Sequence, residues 1–153
     1  MNLNTLLTCL LCLPCILFSQ SNESSPNLFF ANLDFDTQQS QIYEQNGIKI
    51  IANLQKCNDP AIGMEKDYIF LTIENTNSEL VKVSLDQQLY FNNQCRTCLN
   101  DEYHFSFLLT SNETIVSSCT LQKIPGLKIF HGSPWVNEKL TKFELINIKV
   151  ESQ

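Results

Sequence analysis

Glycine and proline are scarce in this 153-residue chain, four and five residues respectively. That excludes a low-complexity chain, and with ten phenylalanines present a packed core is expected. Basic residues are also few: ten Lys and Arg against sixteen Asp and Glu leave a net charge of −6. A surface of that sign argues against nucleic acid, and against an anionic membrane face, as a partner. There are only two histidines, His104 and His131, far apart in sequence. No serine, threonine or cysteine sits in a recognisable nucleophile motif. No uninterrupted apolar run reaches the roughly 20 residues that a membrane helix needs. The longest, Leu6–Phe18, has 13. No pattern of helical period spans an ordinary helix, so an all-β chain is expected.

That short run is followed by the polar stretch Ser19–Pro26. This is the layout of a secretory signal peptide, although Met1–Thr5 carries no Lys or Arg. The expected organisation is a signal peptide over residues 1–19, a flexible tether over 20–27 and one domain over 28–153. The mature chain would be secreted or periplasmic, or held at the cell surface, with no membrane span. Cys15 follows Leu13-Pro14 rather than the small residues of a lipoprotein site. Three of the seven cysteines, Cys9, Cys12 and Cys15, leave with the signal, so Cys57, Cys95, Cys98 and Cys119 remain. An even number in an exported chain implies two disulfides. Of the three possible pairings, Cys95–Cys98 with Cys57–Cys119 is preferred. The first pair is close in sequence, and the members of the second each follow an expected strand.

Alternation carries the fold. Ile69, Leu71 and Ile73 alternate with Phe70 and Thr72, and Val81, Val83 and Leu85 with Lys82, Ser84 and Asp86. The polar run Glu74–Ser78 lies between them and is read as a turn, which makes Tyr68–Asp86 an expected hairpin. Asp86-Gln87-Gln88 interrupts the second strand. Other expected strands are Leu28–Phe35, Gly47–Leu54, Tyr103–Thr110, Thr114–Cys119, Leu127–Phe130 and Leu140–Val150. A parity change at Ile146-Asn147 marks a bulge in the last. Thr37–Asn46 reads as a Gln-rich loop. Seven or eight strands with turn signals at sandwich spacing predict a disulfide-stapled, immunoglobulin-like antiparallel β-sandwich, with a closed barrel as the alternative.

The stretch FLTIENTNSELVKVSL followed by FSFLLTSNETI resembles the phrasing of bacterial immunoglobulin-like domains. The wider order is a lone cysteine before a strand, a Cys-x-x-Cys loop, a fourth cysteine, and Leu140–Leu145 opening a final strand. It is similar to small, uncharacterised exported proteins of Gram-negative bacteria. The resemblance covers roughly Gly47–Val150 and rests on the cysteine spacing. It implies a fold and a compartment, and brings no catalytic residue.

Cys95-Arg96-Thr97-Cys98 has the spacing of a thiol-redox pair, but only Arg96 is near to depress a thiolate, and no helix follows. A structural loop disulfide is the expected role. Zinc is not expected, because Cys57 and Cys119 form no second knuckle. The histidines read as surface imidazoles, His104 in a strand and His131 in a loop. Asn32, Asp34 and Asp36 share one strand face but lack the turn and further oxygens that calcium needs. Asn22-Glu23-Ser24 and Asn112-Glu113-Thr114 are glycosylation sequons, relevant only in a eukaryotic source. Trp135, between Pro134 and Val136, would ordinarily cap the end of the core; its other role would be to anchor a partner. The expected function is therefore a non-catalytic, monomeric module without cofactor or metal. It would present loops at Asn92–Asp101 and His131–Glu138 to a protein or glycan, with Arg96, His131 and Trp135 as candidate binding residues. An inhibitor or immunity-type protein against a secreted or periplasmic enzyme is the alternative, and a thiol-redox protein a more distant one.

Overall fold

The computed structural model describes residues 28–30, 39–59, 63–98, 100–120 and 124–153. The expected signal peptide, the tether and the candidate calcium residues fall outside them. Ten strands occur among the described residues: β1 (Leu28–Phe30), β2 (Ser40–Gln45), β3 (Ile48–Asp59), β4 (Met64–Asn75), β5 (Val81–Phe91), β6 (Gln94–Cys95), β7 (His104–Leu109), β8 (Thr114–Val116), β9 (Lys128–Gly132) and β10 (Leu140–Ser152). Three of them, β1, β6 and β8, have three residues or fewer, which leaves seven strands of five or more. A single 3₁₀ turn, Asp101–Tyr103, precedes β7.

The strands form two antiparallel sheets packed face to face, the expected sandwich. One runs β1-β10-β5, with β6 and β7 sharing the far side of β5. The other runs β2-β3-β4, with β8 and β9 sharing the far side of β4. Period-two alternation sends Ile48, Ile50, Ile69, Leu71 and Ile73 inward from one sheet, and Val81, Val83, Leu85, Phe143 and Leu145 from the other. All ten are at most 2% exposed, so the hydrophobic gain is concentrated between the two layers.

The expected hairpin at Tyr68–Asp86 is not one. β4 and β5 each show clean alternation, but they belong to opposite sheets and do not pair. The connection between them is an arch across the sandwich, built on Asn75, which is fully buried. Its Nδ2 donates to the carbonyls of Glu79 (2.9 Å), Thr110 (2.8 Å) and, more weakly, Leu109 (3.3 Å). Its Oδ1 accepts from the backbone N–H of Asn77 at 2.9 Å. One side chain thus satisfies the backbone where the chain changes sheets.

Other boundaries also move. Ser40–Gln45 is a strand rather than a loop. It turns into β3 through Asn46 (φ 52°) and Gly47 (φ 69°), the left-handed pair of a tight hairpin. β5 runs unbroken through Asp86–Gln88 because Gln87 turns inward, where its Nε2 donates to the Gly126 carbonyl at 2.5 Å. The expected bulge lies in β10, where pairing with β5 slips between Ile146 and Lys149 and Asn147 has φ 53°. His131 belongs to β9, not to a loop, and Thr114–Cys119 is strand only as far as Val116.

Candidate functional site

Both disulfides form in the preferred pairing. Cys57 of β3 joins Cys119 beyond β8, with Cα atoms 5.5 Å apart. This bridge ties β3 to the segment that follows β8, across β4. Cys95 joins Cys98 with Cα atoms 5.8 Å apart, and closes the loop that follows β6. Thr97, buried inside that loop, receives the Leu89 N–H on its hydroxyl at 2.8 Å and donates to the Gln87 carbonyl at 2.9 Å. The loop is thereby pinned flat against β5.

The two loops marked in the sequence meet at one end of the molecule. β5 and β6 are joined by Asn92 and Asn93, both at positive φ (49° and 65°), a two-residue turn whose twist suits a tight hairpin. The Asn92 N–H donates to the Lys139 carbonyl at 3.2 Å, and the Asn93 N–H to the Thr141 hydroxyl at 3.0 Å. The Arg96 guanidinium bonds Glu138 at 2.7 Å. Both side chains are about half exposed, so this pair contributes geometry more than stability. The segment 133–139 is fixed at its start by a tight turn in which the Val136 N–H donates to the Ser133 carbonyl at 3.1 Å.

On that turn Trp135 is 74% exposed and Val136 42%. The core-capping role expected for Trp135 does not hold: the indole stands out from the sandwich, beside Pro134, which is also exposed. His131 is placed apart from it, half-buried on β9. Burial holds its imidazole below the ordinary value, with the Lys139 charge acting the same way and Asp67 against both. Arg96 and the Trp135 turn are the more exposed of the candidate residues.

A second feature was not legible in the sequence. The outer face of the β10-β5-β7 sheet holds an open groove of about 680 Å³, bordered by Thr97, Cys98, Asn100, Asp101 and Tyr103 on one side and the β10 bulge on the other. In its floor Asp86 accepts from Asn147 Nδ2 at 2.7 Å and pairs with His104 Nδ1 at 2.5 Å. Burial raises the Asp86 carboxyl, but these two bonds, with the charges of His104 and Lys149, outweigh it and hold the group below its usual value. The parts come from β5, β7 and β10. Only the parity break at Asn147 hinted at them.

Among the described residues no group of His, Cys, Asp or Glu is arranged to hold a metal ion. No described helix is long and apolar enough to cross a membrane. Compared with known protein families, with curated proteins and with solved structures, the chain matches none.

Proposed function

We propose that the chain is an exported recognition module without catalytic chemistry, which binds a protein or glycan through the end built from the Cys95–Cys98 loop and the Trp135 turn. One observation carries the reading. The apolar triplet Pro134-Trp135-Val136 is exposed on a segment that backbone bonds and the Arg96–Glu138 pair tie to a disulfide-closed loop. Exposed aromatic side chains on a preorganised scaffold are the usual anchors of interfaces, because little conformational freedom is lost on binding. Two disulfides fit an oxidising compartment, and the apolar Leu6–Phe18 run supplies the address. The resemblance of the cysteine spacing to that of small exported proteins of Gram-negative bacteria belongs to the same reading.

The test is binding of the mature chain to an arrayed panel of surface proteins and glycans, with Trp135→Ala run beside it. The expected result is at least one specific binder whose affinity falls tenfold or more in the variant. Binding that Trp135→Ala leaves intact would move the interface elsewhere.

A further inference from the structure

The groove on the β10-β5-β7 face is independent of the Trp135 turn, and its polar atoms are already aimed. Asp86 uses one oxygen for Asn147 Nδ2 and the other for His104 Nδ1. Each partner is therefore fixed in orientation. Asn147 presents its Oδ1, and His104 its Nε2, as the free end. Asn100 is held the opposite way: its Oδ1 accepts the Glu102 N–H at 3.0 Å, which leaves Nδ2 as a donor with only a long contact, 3.4 Å, to Glu102. Tyr103 lines the same margin with a half-buried ring that also packs against the core. Its ring is braced edge-on by Phe105, with centroids 6.4 Å apart.

This mixture selects a ligand class. An anion only accepts hydrogen bonds and would meet the Asp86 and Asp101 carboxylates, while among the described residues no lysine or arginine lines the groove. An ammonium only donates, and would leave the Asn100 amide donor unpaired. A vicinal diol donates and accepts at adjacent atoms, and its C–H face can rest on an aromatic ring. The bulge that delivers Asn147 sits at positive φ on a non-glycine residue, a backbone cost that places one more amide over the groove.

We propose that this groove is a binding site for a neutral saccharide, about two to three sugar units long by its volume of about 680 Å³. Asp86 is its positioning residue, and Asn147, His104, Asn100 and Tyr103 make the contacts.

The experiment is an amide NMR titration of the intact, disulfide-bonded protein with maltotriose, cellotriose, xylotriose and chitotriose, beside spermidine and a tri-galacturonate. The expected result is saturable shifts at Asp86, His104 and Asn147 for at least one neutral trisaccharide, with affinity about tenfold weaker in Asn147→Gly. Glycine accepts the positive φ, so this variant removes the side chain and keeps the bulge. His104→Ala gives a second, independent loss, and Val116→Ala, exposed on β8 of the other sheet, leaves saccharide affinity unchanged. Three results would overturn the proposal: no shifts with any neutral sugar at millimolar concentration, stronger binding of spermidine or tri-galacturonate, or sugar affinity that Trp135→Ala removes and Asn147→Gly does not. The last would place the sugar on the turn, so the two readings fail separately.

Discussion

Replacing Asn75 by alanine should be among the most damaging polar substitutions in the domain. The side chain is fully buried where the chain passes from one sheet to the other. It makes two good bonds to carbonyls, at 2.8 and 2.9 Å, a longer one at 3.3 Å, and accepts one backbone N–H at 2.9 Å. A net value near 1 kcal/mol per bond gives about 3 kcal/mol for the three shortest; a fourth, which Asn77 Nδ2 donates to Oδ1 at 3.0 Å, comes from a half-buried side chain that water can satisfy instead. The carbonyls of Glu79 and Thr110 are only partly buried, so water recovers some of this, whereas the Leu109 carbonyl is left without that partner in a buried setting. The two corrections oppose each other, and the expectation stays near 3 kcal/mol. Asn75→Asp should cost more at neutral pH, because a carboxylate would face three carbonyl oxygens, and should partly recover in acid as it gains a proton. Urea unfolding of the disulfide-intact protein measures both. A loss below about 1 kcal/mol in Asn75→Ala would show that the arch does not depend on this side chain.

The disulfides should differ in value. Closing a separation of 62 residues, Cys57–Cys119 contributes about 4 kcal/mol in the chain-entropy model, and Cys95–Cys98, with a separation of 3, about 2. Paired Cys→Ser variants compared by urea midpoint should follow that order. For His131, burial depresses the folded-state pKa below the unfolded value. The unfolded chain then binds the extra proton, so the His131 contribution is complete above about pH 6.5 and declines as pH falls through and below it. His131→Gln should flatten the stability profile between pH 7 and 5, and an unchanged slope would exclude this origin.

The sequence made the strands readable more than their partners. Alternation in Ile69–Ile73 and Val81–Leu85 marks two half-buried strands, yet it is silent on whether they share a sheet. A buried asparagine at the end of one strand was the missing clue, since Asn75 is needed only when the chain crosses between layers. β2 escaped notice because it is an edge strand with four polar residues around Ile42 and Tyr43. The Asn46-Gly47 pair, a strong hairpin signal, was there to be used. Closeness in sequence pointed to Cys95–Cys98 and position after expected strands to Cys57–Cys119, and composition singled out Trp135 but not its exposure, which depends on how the turn at Ser133–Val136 leaves β9. The Asp86–His104–Asn147 cluster joins residues up to 61 positions apart, so no local pattern could reveal it.

The account rests most directly on Trp135 standing free on a braced turn, and as the chain's only tryptophan it reports on itself. Acrylamide quenching of its fluorescence, in the native protein and in urea, is the measurement. Quenching in the native state nearly as efficient as in the unfolded chain is the expected result. An indole shielded in the native state would mean that it caps the core after all, and would remove the anchor on which the recognition reading depends.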